Sequence, residues 1–214
     1  MELLLVPLLI VANLLGIGMI VPQITRLHRT RVTDGVSAPW VGVSFAMNVG
    51  WLSYALNGRL WGLVPVSVGG MLVYLVVALQ LRALVGSRIL RPLVASAAAT
   101  SIALLTVLAT ADWPAVGLAL GLAYGPQFGP AALSVIRSHT AVGVSSATWN
   151  MAVSEAAIWV VYGLAVADRA LIIGGVGGTV VASVILARLA SRDVRRDFVG
   201  EPSTQARPAP LANT

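Results

Sequence analysis

The sequence predicts an all-α membrane protein with seven transmembrane helices, arranged as two parallel three-helix repeats joined by a linker helix (3+1+3). Three observations lead to this fold class. Of the 214 residues, 57% are hydrophobic and only 10% are charged, whereas a soluble domain carries about 25% charged residues. Apolar runs of about 20 residues, the length that crosses a bilayer, recur along the chain. A set of landmarks in the first half recurs in the same order in the second half.

The predicted spans follow the apolar runs in chain order. They are residues 3–24, 38–57, 60–81, 92–111, 114–134, 145–166 and 170–189. The runs are continuous and do not alternate as membrane-barrel strands do, and lipid-exposed backbone must satisfy its own hydrogen bonds, so they are expected to be helices. The first run has no basic segment before it and no small-residue cleavage site after it, which favours a transmembrane helix over a signal peptide.

The composition excludes several function classes. There is no Cys and no Lys, which removes disulfides, thiolate metal sites and a retinal bound to lysine. Both His residues lie outside the spans, and no Ser/His or paired-Asp arrangement occurs inside them. We therefore expect no enzyme activity, no cofactor and no metal.

The Arg residues indicate the orientation of the chain. Twelve of the fourteen lie on one side of the predicted membrane: Arg26, Arg29, Arg31, Arg82, Arg88, Arg91, Arg137, Arg188, Arg192, Arg195, Arg196 and Arg207. The positive-inside rule then places the N-terminus outside and the C-terminus in the cytoplasm. The same rule explains the net charge of +6 without a nucleic-acid partner. Arg, Ala and Val in place of Lys suggest a GC-rich bacterial genome, and hence a bacterial plasma membrane.

The internal repeat divides the chain. The matching landmarks are Pro22-Gln23 with Pro126-Gln127, Gly35-Val36-Ser37 with Gly143-Val144-Ser145, Trp51 and Tyr54 with Trp159 and Tyr162, and Gly69-Gly70 with Gly177-Gly178. Residues 1–83 and 113–191 are therefore the two repeats, residues 84–112 contain the linker helix, and residues 192–214 form a disordered cytoplasmic tail. Because three helices reverse the side of the membrane, one linker helix makes the repeats parallel.

These landmarks resemble the PQ-loop family, which includes SWEET sugar transporters, cystinosin-like amino-acid exporters and KDEL receptors. The resemblance covers residues 13–190, and the 3+1+3 layout is most similar to SWEET transporters, whose parallel repeats are well known. It implies transport of a small polar solute, a sugar or an amino-acid-like molecule, by alternating access. The alternative is a receptor or membrane adaptor that binds a ligand without transporting it. The sequence leaves the oligomeric state open.

The two Pro-Gln pairs are candidate hinges. Proline inside a helix removes one backbone hydrogen bond and displaces the carbonyl four residues earlier, so Pro22 and Pro126 each loosen a helix. Gln23 and Gln127 can bond the loosened backbone. The alternative interpretation is a static kink that serves packing.

Four side chains are candidates for binding the solute. Trp51 and Trp159 lie well inside spans two and six, at matching positions. Glu155, the one acidic residue well inside a span, is four residues from Trp159, and Asn48 is three residues from Trp51, so each pair shares a helix face. Intramembrane ionisable residues are functional candidates, and Glu155 can bind a proton, a substrate amine or a hydroxyl, so proton coupling stays open. The alternatives are core packing for the tryptophans and a protonated Glu155 bonded to a neighbouring helix.

The sequence departs from the resemblance at two positions. SWEET-like transporters carry a sugar-binding Asn in the third helix of each repeat, at about Val66 and Gly174 here. Neither span three nor span seven contains an Asn. The position that matches Glu155 in the first repeat is Met47, so the carboxylate also has no counterpart.

Overall fold

The computed structural model describes residues 2–33, 36–128 and 146–199, and every regular element in these ranges is helical. The α-helices are α1 (Glu2–Gly18), α2 (Val21–Thr30), α3 (Ala38–Gly58), α4 (Val64–Val85), α5 (Leu90–Thr110), α6 (Trp113–Tyr124), α7 (Ser146–Ala165) and α8 (Arg169–Val199). Three short 3-10 turns cover Trp61–Leu63, Ser87–Ile89 and Pro126–Phe128. The predicted all-α class is confirmed.

Four helical segments in the described part of the chain are long and apolar enough to cross a membrane. They are Leu5–Thr30, Trp61–Val85, Ser87–Thr110 and Arg169–Ser191. With 21 and 20 residues, α3 and α7 have a similar length but carry more polar and aromatic side chains. These helices correspond to predicted spans two and six, which contain all four candidate binding residues.

Capping side chains satisfy backbone donors at the starts of α6 and α8. Asp112 accepts a hydrogen bond of 2.9 Å from the backbone N–H of Ala115 at the start of α6, and Asp168 accepts one of 2.9 Å from Leu171 at the start of α8. Such caps satisfy backbone donors that have no partner within the helix. Prolines stand in the first turns of α3, α4 and α6. Their missing N–H groups cost nothing there, because first-turn N–H groups have no acceptor within the helix.

The packing of the helices follows the same pattern in both halves of the chain. Helix α4 packs against α1 and α3, and α8 packs against α6 and α7. Between the halves, α1 contacts α7 and α3 contacts α6. Helix α5 lies against α3 and α6 and has no buried residue. This helix therefore lies at the periphery of the bundle.

The helix that contains the first Pro-Gln pair is interrupted. Met19 and Ile20 form a turn between α1 and α2, and Pro22 stands in the first turn of α2. In the second half, α6 ends at Tyr124 and Pro126 begins a 3-10 turn. Both prolines therefore stand where an α-helix is broken, as their missing N–H groups require.

The predicted tail and several predicted motifs differ from the described structure or lie outside it. Helix α8 continues to Val199 and so overlaps the beginning of the segment 192–214 assigned to the tail. No Gly or Pro occurs in residues 192–199, so nothing in the local sequence ends the helix earlier. The last residues of span five, the Gly-Val-Ser motif at 143–145, and residues 200–214 lie outside the described residues, as does Gly35.

Candidate functional site

A cavity of about 80 Å³ lies in the interior of the bundle, with room for several water molecules. Its lining comes from both halves of the chain: Gly16, Met19, Ile20, Asn48, Trp51, Leu63, Val66, Ser67, Gly70 and Tyr74 from the first, and Tyr124, Gln127, Phe128, Glu155, Trp159, Leu171, Gly174 and Gly175 from the second. Helix α5 contributes no residue to it. All four side chains predicted to bind the solute line this one cavity.

Glu155 is the acidic residue of the cavity and is only 3% exposed. Its carboxyl group accepts hydrogen bonds from the Tyr124 hydroxyl at 2.8 Å and from the Trp159 indole N–H at 2.5 Å. The second bond follows from the four-residue spacing on α7, whereas the first depends on the approach of α6. No Arg or His is found among the described residues of the lining.

Trp51 and Trp159 occupy matching places on α3 and α7, and both are buried. Each ring packs edge-on against the tyrosine three residues later, with centroid distances of 6.1 Å to Tyr54 and 6.0 Å to Tyr162. Such edge-to-face pairs orient aromatic rings. The duplicated Trp-x-x-Tyr motif thus fixes one indole on each side of the cavity.

Asn48 lies beside Trp51 on the cavity wall, where its amide donates to the Ser44 carbonyl at 2.8 Å. A side-chain carbon on Gly70 would collide with the Asn48 amide. The first glycine landmark therefore lets α4 pass close to the polar face of α3. Ser67, one turn before Gly70, is buried in the lining and donates to the Leu63 carbonyl at 2.9 Å.

Val66 and Gly174, at the places where the resemblance implies asparagines, both line the cavity. A Cβ at Gly174 would lie 3.3 Å from the Cα of Gly121 and 3.7 Å from the Trp51 ring. An asparagine there would therefore press against α6 and the indole. Gly121 and Gly174 instead let α6 and α8 pack closely at the place where the resemblance implies an asparagine side chain.

The four predicted hinge residues occupy different positions. Pro22 and Pro126 are exposed at the two helix breaks. Gln127 lines the cavity, whereas Gln23 is half-buried outside its lining. Asn13 on α1 also lies outside the lining and donates to the carbonyls of Leu9 and Gly62.

Sequence reasoning missed two residues that shape the site. Gly16 brings α1 against Glu155, because a Cβ at Gly16 would lie 3.1 Å from the carboxyl Oε1. Tyr74 lines the cavity from α4. It follows Ser67 and Gly70 at spacings of seven and four residues, which places the three on one helix face. That spacing was a usable signal for Tyr74, whereas nothing in the sequence distinguishes Gly16 from other glycines.

A hydrogen bond joins the two halves next to the cavity. The Tyr54 hydroxyl on α3 donates to Asp168 Oδ2 at 2.7 Å. Asp168 also caps α8 through its other oxygen. The Asp168 carboxylate therefore links α3 to the start of α8. In the described ranges, no group of three His, Asp or Glu residues is placed to hold a metal ion.

Comparison with known structures identifies the fold. The chain is similar to a eukaryotic SWEET transporter, with a TM-score of 0.71, and the likeness covers 89% of this chain and 97% of that one. The two sequences are 17% identical, so the likeness establishes the fold and not the substrate. No family model and no curated protein matches the sequence. The chain thus has a SWEET-like fold, and its long apolar helices mark it as an integral membrane protein.

Proposed function

We propose that the protein transports a small polar solute, a sugar or an amino-acid-like molecule, across the membrane by alternating access. The observation that carries the proposal is the central cavity, in which Trp51 and Asn48 of one half lie with Trp159 and Glu155 of the other. Aromatic faces beside a few polar groups are typical of sites for small ligands. A site shared by two halves is released when the halves move apart.

The two halves are proposed to be parallel repeats, each a unit of three helices. In the first repeat α1 and α2 together count as the first helix, followed by α3 and α4; the second repeat consists of α6–α8, and α5 is the linker. In support, the third helix of each unit packs against the other two, and the contacts between the units are reciprocal. A Pro-Gln pair stands at a helix break in each unit, and we propose that these breaks bend as the cavity changes its open side. The proposal includes membership of the PQ-loop family.

The proposed topology has the N-terminus outside and the cavity reached from the cytoplasm past the Pro-Gln breaks. The Arg distribution supports it. On this topology, Tyr54 and Asp168 lie towards the external side, and their hydrogen bond holds that side closed in the present conformation. The substrate route alternates between these two ends. We propose a bacterial plasma membrane as the location on compositional grounds.

Uptake by purified protein in liposomes tests the proposal. A panel of labelled sugars and amino acids is offered with and without a pH gradient, and at least one is expected to enter faster than into protein-free vesicles. Trp51→Ala and Trp159→Ala should each abolish that uptake, because each removes one aromatic wall of the cavity. The exposed side chain of Trp61 supplies the control, since Trp61→Ala removes an indole outside the cavity.

Uptake that persists in both cavity variants would refute the site. Failure of the folded wild-type protein to move any solute of the panel, while a ligand still binds to it, would contradict transport and favour the receptor alternative. Folding is monitored by elution as a single species in detergent.

A further inference from the structure

Among the described residues, the Glu155 carboxyl group has no cationic partner. Its described neighbours are two neutral donors, the Tyr124 hydroxyl and the Trp159 indole. A buried carboxylate is costly unless a proton or a positive charge neutralises it. The described lining contains no Arg or His, so none of its residues supplies that charge, whereas a species that enters the cavity can. It is either a proton or a cationic ligand.

The surroundings of the carboxyl group suit an organic cation. Five aromatic rings line the same cavity: Trp51, Tyr74, Tyr124, Phe128 and Trp159. A cation close to such ring faces is attracted by their quadrupoles, and aromatic cages recognise quaternary ammonium groups in this way. A neutral sugar could stack on the aromatic rings but would not neutralise the charge of the Glu155 carboxylate. A zwitterionic amino acid would add a second carboxylate, for which the described lining has no cation.

We propose that the cavity binds an organic monocation, an amine or a quaternary ammonium ion, which exchanges for the proton on Glu155. This inference rests on the proposed transport function and names its substrate class. When the cation enters, the carboxyl O–H bond breaks and the proton leaves to the same aqueous side. When the cation departs to the other side, a proton returns to the carboxylate. One positive charge moves each way per cycle, so the exchange is electroneutral.

Few other titratable side chains in the described lining could make ligand binding depend on pH. Tyr124 from α6 and Tyr74 from α4 are the titratable side chains that join it in the described lining, while α1, α3 and α8 contribute none. Both tyrosines are neutral phenols at the pH of such an experiment. Proton exchange at this cavity is therefore assigned to Glu155.

Three matched probes test the cation directly. They are choline, its neutral carbon isostere, and glycine betaine, which keeps the trimethylammonium group but adds a carboxylate. Quenching of tryptophan fluorescence in the full chain reports binding, and a pH indicator in weakly buffered solution reports proton release. Choline is expected to bind and, across a pH series, to release up to one proton per molecule bound. Binding of the isostere as tight as that of choline, or no proton release at any pH, would overturn the proposal.

Transport supplies the second readout. Labelled choline should enter phosphatidylcholine vesicles faster when the lumen is acidic, and an imposed membrane potential should leave the rate unchanged. Glu155→Gln should weaken choline binding about ten- to a hundredfold, the range for a lost interaction with a charged group, and remove the effect of the pH gradient. Asp112→Asn is the matched control, because it makes the same chemical change at an exposed helix cap outside the cavity.

The outcomes separate the two proposals. Gradient-driven choline uptake that persists in folded Glu155→Gln would overturn the exchange mechanism. Uptake of a sugar with no choline binding would overturn the cation inference and leave transport standing. Choline binding with proton release but no uptake of any solute would support the site and contradict transport. If Glu155→Gln fails to fold, proton release by the wild-type chain decides the inference alone.

Discussion

The contact between α1 and the cavity carboxyl group leads to a quantitative prediction at Gly16. A Cβ at this position would lie 2.7 Å from Val66 Cγ2 and 3.1 Å from Glu155 Oε1. The first distance is well inside van der Waals contact, so Gly16→Ala must push α1 away from α4 or turn the Val66 side chain. Overpacking of this kind costs about 1–3 kcal/mol.

Two opposing terms set the net effect. Alanine stabilises a helix interior by about 0.5–1 kcal/mol relative to glycine, so a net loss between 0 and about 2.5 kcal/mol remains, centred near 1 kcal/mol. For a chain of this size the central value corresponds to a midpoint lower by about 2–4 °C. The assay is thermal unfolding of the full chain in detergent, followed by the fraction that still elutes as a single species after heating.

Gly18→Ala is the matched control on the same helix, because a Cβ there would meet no atom within 4 Å. Its midpoint should stay level or rise slightly. The double variant Gly16→Ala, Val66→Ala should lose about 1 kcal/mol less stability than the sum of the two single losses. Such non-additivity is expected for two residues in contact. Equal midpoints for Gly16→Ala and Gly18→Ala would refute the described packing of α1 against Val66 and Glu155.

Three further predictions concern the hinge, the contact between the halves, and topology. Pro22→Ala and Pro126→Ala should slow uptake at saturating solute while the dissociation constant stays the same; unchanged rates in both would assign the prolines to packing. Tyr54→Phe should lower the thermal midpoint, since it removes the donor to a half-buried carboxylate oxygen and with it a hydrogen bond worth about 0.5–1.5 kcal/mol; an unaltered midpoint would contradict the 2.7 Å bond. Because the chain has no Cys, Asn57→Cys and Ser87→Cys give clean single labels. An impermeant maleimide added to intact cells should react with the first and spare the second, and the reverse pattern would invert the proposed topology.

Much of the site followed from spacing within one helix. Glu155 and Trp159 are four residues apart, and their side chains are bonded as that spacing allows. Asn48 and Trp51 share the cavity wall for the same reason. The broken helix at Pro22 was also predictable, since proline cannot donate the hydrogen bond that a continuous helix needs.

Relations between helices were harder to predict. The hydroxyl of Tyr124 reaches Glu155 because α6 and α7 both pack against α8. Gly16 matters only because α1 crosses α7 near that carboxyl group. Such contacts depend on crossing angles and interhelical distances, which a single sequence does not encode in any local pattern. The roles proposed for the cavity residues stay predictions until the uptake and binding measurements are made.

The pairing of Glu155 with Met47 has a consequence for how such a chain evolves. Both residues are buried at matching places in the two halves. If the halves were separate, identical subunits, any acid acquired there would appear twice across the symmetry axis, and two carboxylates sharing one site cannot both ionise without strong repulsion. Fusion into one polypeptide removes that penalty, because one copy can mutate while the other keeps its thioether. On the proposed repeat arrangement, gene duplication followed by fusion would permit an acid in one half that the other half lacks.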